Sequence, residues 1–215
     1  MSLAYCVARF AKMKRRIYLG ALICAALATT GSLMTPPEAH RKMSLSTPAF
    51  KDGQPIPADY TCDGKNISPQ LKWSGAPAET QSLVLIVDDP DAQAGVWTHW
   101  ILFNLSPDAS DIAEDFAKAS SGSTVKQGTN DFKKLGYGGP CPPAGKMHRY
   151  FFRILALDTT LNLSPGATRK EVDAATAKHI LAVGQLMAHI SGNKPGTFLA
   201  RSLLTSNYER SNCAL

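Results

Sequence analysis

Three long apolar runs constrain this chain more than any other feature. SLVLIVDD (82–89), WTHWILFNL (97–105) and RYFFRILALD (149–158) are rich in β-branched and aromatic residues. Each is too short for a membrane span and lacks a helical period. The turn-forming stretch PDAQAG (90–95) separates the first two. In the third, Tyr150, Phe152, Ile154 and Ala156 alternate with Phe151, Arg153, Leu155 and Leu157. Both sets are mostly apolar, the pattern of a strand buried between two layers. Because the strands arrive without alternating helices, the expected class is mainly β, a sandwich rather than a doubly wound sheet.

One helix is expected. Thr168-Arg169-Lys170-Glu171 fits a capping box, and Val172, Ala175, His179, Val183, Leu186 and Ile190 follow at helical spacing. That spacing predicts a helix from Thr168 to about Ile190. Beyond it a Lys-Pro-Gly break opens an aperiodic stretch, so residues 191–215 read as an irregular tail.

The N-terminus reads differently from the rest. MKRRIYLGALICAALATT, starting at Met13, has basic residues, an apolar run from Ile17 to about Ala28, and Ala26-Leu27-Ala28 as an A-x-A site. This is the pattern of a secretory signal. The expected organisation is a signal over 1–28 with its functional start at Met13, a flexible spacer over 29–43, and a folded domain over 44–190. An uncleaved anchor and an internal start without export are the alternatives. Cys24 invites a lipoprotein reading, but bulky Ile23 precedes it. The expected location is periplasmic or secreted, with no stable membrane insertion once the signal is removed.

Charge follows from the same cut. The chain has 23 basic and 17 acidic residues, net +6, yet residues 1–28 hold Arg9, Lys12, Lys14, Arg15 and Arg16 and no acid. What remains is 18 basic against 17 acidic, with no basic tract to attract nucleic acid. Cys62, Cys141 and Cys213 lie beyond the signal, and an oxidising compartment would allow two of them to pair. No C-x-x-C or H-E-x-x-H spacing points to a metal.

The chemistry-bearing residues sit at strand ends. Asp88, Asp89 and Asp91 surround Pro90 where the first run finishes; His99 lies in the second; His148 follows a Gly/Pro-rich loop and opens the third. Singly, an acid there is a turn former, a histidine a packed residue, and Tyr150 a core residue. Together, DDPDA (88–92), WTHWILFNL and GYGGPCPPAGKMHRYFF (136–152) resemble, in order and spacing, the phosphatidylethanolamine-binding proteins, also described as Raf kinase inhibitor-like proteins. YTCDGKNISPQLKWSGAP (60–77) is similar to the bacterial branch of that family.

The resemblance implies two antiparallel sheets with a late helix packed on them, and a small anion-binding pocket near one end. Asp89, Asp91, His99 and His148 would form its wall, with Tyr150 nearby. The Gly139–Pro143 loop would supply backbone groups, Gly139 and Pro142 among them. Glycines let amides approach a ligand, and prolines stiffen the loop. Two imidazoles suit a phosphate or carboxylate, and the aspartates would orient them or meet an ammonium, as in a phosphoethanolamine head group. Cys141 has three roles open to it: a reactive thiol, a disulfide partner of Cys62, or a free structural thiol. No G-x-S-x-G appears, so the expectation is a binding protein with no catalytic residue, cofactor or metal. Inhibition of an extracytoplasmic protease or another protein partner is the alternative, and oligomeric state stays open. Two positions depart from the family pattern. His189-Ile190 lacks the tyrosine that closes related pockets, and Thr98 stands where some relatives have a further histidine.

Overall fold

Strand β4 (Ser82–Asp89) is the centre of the molecule, with all eight of its residues buried. The computed structural model describes residues 40–116 and 125–192. In chain order the remaining elements are β1 (Arg41–Lys42), β2 (Ser44–Ser46), β3 (Leu71–Ser74), β5 (Trp97–Leu105), β6 (Asp111–Ile112), β7 (Lys126–Gln127), β8 (Met147–Leu157), helix α1 (Arg169–Thr176) and β9 (Ile180–Ser191). They form a larger sheet ordered β1-β9-β8-β4-β5-β7 and a smaller sheet ordered β2-β3-β6. All pairings are antiparallel except β1 on β9 at one edge.

Alternation along β4 builds two cores. Leu83, Leu85 and Val87 face the small sheet and pack with Trp100, Phe152, Ile154, Leu71 and Trp73. Val84 and Ile86 face the other way, against Ile101, Phe103 and Val172 of α1. Apolar side chains buried this completely stabilise by about 1.5–3 kcal/mol each. This is the mainly-β, two-sheet arrangement expected, with the helix packed on one face.

The helix itself is shorter than its periodicity predicts. The capping box holds: the Thr168 amide donates to Glu171 Oε2 at 2.7 Å, and the Glu171 amide donates to Thr168 Oγ1 at 3.4 Å. After two turns α1 ends, and Ile180–Ser191 forms a strand paired along the whole of β8. Its buried residues are Ala182, Gly184, Leu186 and Ala188. A period of two is present, but small residues carry most of it, so the larger Val183, Leu186 and Ile190 imitate a helical stripe. Gly184 is small for a reason: a Cβ there would lie 2.8 Å from Ile154 Cγ2 and 3.1 Å from Met43 Cβ.

Met43 also moves the start of the domain. It is 2% exposed, and its amide donates to the Val183 carbonyl at 2.9 Å. Ordered pairing therefore begins at Arg41, inside the segment expected to be spacer, because Met43 fills the space above Gly184. At the far end β9 continues to Ser191, and Gly192 bridges to Ala144. The signal over 1–28, the spacer to residue 39 and the tail from 193 lie outside the described residues.

Candidate functional site

The pocket stands where β4 ends. β5 and β8 flank β4 antiparallel: Trp97 at the start of β5 pairs with Asp89, and β8 pairs as far as Phe151 on Asp88, so its first residues run past the same end of β4. On β8, His148 and Tyr150 share a face with Phe152, the face turned to the small sheet. For His99 alternation alone would give the opposite face, because Trp100 already points inward. A β-bulge corrects this. Val87 pairs with Trp100 but Asp88 pairs with Thr98, so His99 is the extra residue. A bulge re-aims the side chains around it, and here it puts His99 on the same face as Asp89, His148 and Tyr150.

These four residues line one pocket of about 310 Å³. Trp97, Phe132, Pro142 and Pro143 complete much of its wall, with Ala92, Gln93, Ala94 and Cys141. His148 Nδ1 donates to Asp89 Oδ2 at 2.7 Å, with both side chains almost fully buried. The other carboxylate oxygen accepts the Asp91 amide at 2.8 Å. His99 Nδ1 donates to the Gly138 carbonyl at 2.7 Å, and the Gly138 amide donates back to the His99 carbonyl at 2.9 Å. Both rings thus have Nδ1 fixed, and Nε2 of each has no hydrogen-bond partner among the described residues. Fixing one ring nitrogen sets what the other can offer a ligand.

Electrostatics keeps the pocket poised. Burial lowers the pKa of His99, outweighing the Gly138 hydrogen bond and the charges of Asp89, Asp88 and Asp131. Its Nε2 is therefore an acceptor near neutral pH, becoming a donor once a ligand stabilises the cation. The Tyr150 hydroxyl is buried and makes no hydrogen bond of good geometry, but it lies within hydrogen-bonding influence of the Asp89 carboxylate. Burial and then the Asp89 charge raise its pKa, so it stays a protonated donor. The Trp97 indole N–H is also unpaired. Unpaired polar atoms are rare inside proteins because each costs about 1–3 kcal/mol.

Two expected members stand elsewhere. The Asp91 carboxylate turns outward to the Arg149 side chain, accepting from Nε and Nη2 at 2.8 Å each and from the Arg149 amide at 2.9 Å. These contacts hold its pKa at about 2. Asp91 contributes to the pocket only its amide, which holds Asp89 in place. Gly139 donates its N–H to Asn66 Oδ1 at 2.7 Å and lines a neighbouring cavity instead. A side chain there would meet Asn66 Oδ1 at 2.6 Å and the Tyr60 carbonyl at 2.9 Å. The glycine permits close loop packing rather than ligand approach. Of the loop residues, Pro142 and Pro143 do form wall.

Cys62 and Cys141 are joined by a disulfide, with Cα atoms 5.4 Å apart. The Cys62 amide also donates to the Pro140 carbonyl at 3.0 Å. The sulfur is thus committed to structure, not held as a thiol. Among the described residues lining the pocket there is no serine or threonine hydroxyl and no free thiol. No group of three His, Cys, Asp or Glu side chains among the described residues is arranged to hold a metal.

Phe132 is the largest wall residue that sequence reasoning missed. It sits 5.4 Å from Trp97 and 5.3 Å from His99, centroid to centroid and edge-on. Its position depends on Asp131, whose amide and carboxylate both bond Thr98. Nothing in TNDFKKLG marks that long-range tie; the segment reads as an ordinary turn.

The family model for phosphatidylethanolamine-binding protein matches residues 46–191. An uncharacterised-family protein of Methanothermobacter thermautotrophicus is 52% identical over 148 residues, 67% of this chain and 96% of that protein. A Mycobacterium tuberculosis protein with the provisional name lipoprotein LppC is 37% identical over 166 residues, 77% of this chain and 80% of its own. The crystal structure of YbcL from E. coli, described as a member of the mammalian family of the same kind, superposes with a TM-score of 0.66 at 28% identity, covering 70% of this chain and 98% of that one. This chain belongs to the phosphatidylethanolamine-binding protein family and is of its YbcL type.

Proposed function

We propose that the protein is an exported binding protein whose histidine pocket takes a phosphate-bearing ligand, with a phosphoethanolamine head group as the model. The observation that supports this best is the pair of unspent imidazole nitrogens around one small pocket, Nε2 of His99 and His148, with the buried Tyr150 hydroxyl beside Asp89. An oxyanion entering there can accept from the Tyr150 hydroxyl and draws a proton onto the His99 imidazole. Asp89, held by the Asp91 amide and His148 and close to the Tyr150 hydroxyl, supplies the negative charge that an ammonium next to the phosphate would meet. The polar groups on hand can hold and orient a ligand, which is the role proposed for them.

Isothermal titration of phosphoethanolamine and inorganic phosphate into wild type and His148→Ala tests this reading. The expected result is binding by wild type with net proton uptake, seen as a heat that changes with the buffer's ionisation enthalpy, and clear loss in His148→Ala. Equal affinities in the two proteins would remove His148 from the site.

Export rests on the signal-like start, on a disulfide that suits an oxidising compartment, and on a relative that carries a lipoprotein name. Intact-mass measurement of the protein from its native host checks this. A species beginning near Thr29 with Cys62 and Cys141 bonded is expected. A full-length chain with reduced cysteines would sink the proposal.

A further inference from the structure

Residues 141–143 form part of the pocket wall and are held unlike the loop on either side of them. Before them, Gly138 is bonded twice to His99, Gly139 donates to Asn66 Oδ1, and the Pro140 carbonyl accepts the Cys62 amide at 3.0 Å. After them, Ala144 bridges to Gly192, and the Gly145 amide donates to the Gly192 carbonyl at 3.0 Å. Between those anchors the only hydrogen bond among the described residues is local, from the Lys146 amide to the Pro143 carbonyl. Pro142 and Pro143 have no amide to donate. Gly192 packs close to both prolines but bonds neither carbonyl.

One covalent tie crosses that gap. Cys141 is joined to Cys62, 79 positions earlier in the chain. Cys141 lines the histidine pocket, and both cysteines line an adjoining cavity of about 170 Å³. Both are exposed, so a reductant can reach the bond. Exposed disulfides are the more easily reduced ones in folded proteins. The cores do not depend on this pair, since neither cysteine nor either proline belongs to the two buried clusters. The wall can therefore loosen while the sheets stay packed.

We infer that the Cys62–Cys141 disulfide is a redox latch on the histidine pocket: oxidised, it fixes residues 141–143 as wall, and reduced by a dithiol, it frees them and weakens ligand binding. This inference rests on the phosphate reading of the pocket and adds its regulation. A thiolate of the dithiol attacks one of the two sulfurs, the S–S bond breaks, and the other cysteine leaves as a thiolate that takes up a proton. The second thiol of the reductant then displaces the remaining cysteine from the mixed disulfide. Two electrons pass to the protein, and the dithiol is left as a disulfide. From then on each binding event must order the freed wall, which lowers affinity.

The test uses the exported protein carrying Cys213→Ser, which leaves this pair as the only cysteines beyond the signal. Phosphoethanolamine is titrated into it as isolated, after reduction with dithiothreitol, and after re-oxidation, alongside a variant that adds Cys62→Ser and Cys141→Ser. Reduction should lower affinity at least about fivefold, the cost of ordering one backbone residue, and re-oxidation should restore it. The variant should bind like the reduced protein and ignore dithiothreitol. Trypsin cleavage after the exposed Lys146 should quicken on reduction. Equal affinity in the two redox states, or a bond that resists excess dithiothreitol without denaturant, overturns the latch and leaves the phosphate pocket standing. Loss of the near-UV circular dichroism on reduction overturns it as well, because the bond would then hold the fold and not the wall. No binding by the oxidised protein overturns both readings together, an outcome distinct from the first.

Discussion

Asp88 and Asp89 are adjacent in the chain, equally buried, and on opposite faces of one sheet. Asp88, 1% exposed, is surrounded: Arg153 Nη2 and Arg169 Nη1 donate to its carboxylate, and Thr98 Oγ1 donates at 3.1 Å. Its two arginine partners come from β8 and α1, so the carboxylate ties the helix to the sheet. Asp89, 4% exposed, holds one imidazole and one amide and keeps its remaining side toward a pocket. The same side chain is a closed structural anchor on one face and an open orienting group on the other. Neighbouring groups, rather than burial, decide which: arginines complete a carboxylate's contacts, whereas a single histidine passes its influence to Nε2.

Substitutions can break or sharpen that contrast. Asp88→Asn should have the largest effect on stability, a loss of about 2–3 kcal/mol in urea unfolding. That is below the range for a fully buried pair because Arg153 and Arg169 can reach water. Phosphoethanolamine affinity should be unchanged; a joint loss would show that the two faces are not independent. Asp89→Asn should cost only about 1 kcal/mol of stability, as one hydrogen-bond partner is lost. Its effect on phosphoethanolamine should be larger, about tenfold or ~1.4 kcal/mol, seen by calorimetry.

A third expectation concerns pH. His99 is held below its ordinary value of 6.5, chiefly by burial. Between its folded value and 6.5 the unfolded chain binds the proton more readily than the native one. This contribution is therefore full above about pH 6.5 and is lost as pH falls below it. Urea midpoints measured from pH 7.5 downward should decline in wild type and decline less in His99→Gln. The smallest effect belongs to Asp91→Asn. Its contact with Arg149 is on the surface, so the change should stay under about 1 kcal/mol with ligand affinity intact. A loss of affinity there would return Asp91 to the site.

Much of the fold was legible because β4, β5 and β8 are long, apolar and bounded by turns, and their alternation is carried by large side chains. β9 was not, because Ala182, Gly184 and Ala188 make its buried face from residues too small to register as hydrophobic. At the site, the two histidines, Asp89 and Tyr150 were readable from motifs at strand ends. Asp91 and Gly139 belong to the same motifs but face other partners, and a motif records adjacency, not direction. Phe132 was unreadable because it reaches the pocket through a backbone tie across 33 positions of chain, from Asp131 to Thr98.

The extra residue in β5 has a wider meaning. WTHWILFNL can be laid against β4 in two frames, and only one gives the pocket its second imidazole. In the frame without the offset, Thr98 would take the inner place and a hydroxyl would replace the ring, while His99 would be driven toward Asp88 and its arginines. The polar lining of this pocket thus depends on a pairing choice as well as on side chains, and a mutation that merely straightens the strand would withdraw His99 while leaving every residue of the pocket in the sequence.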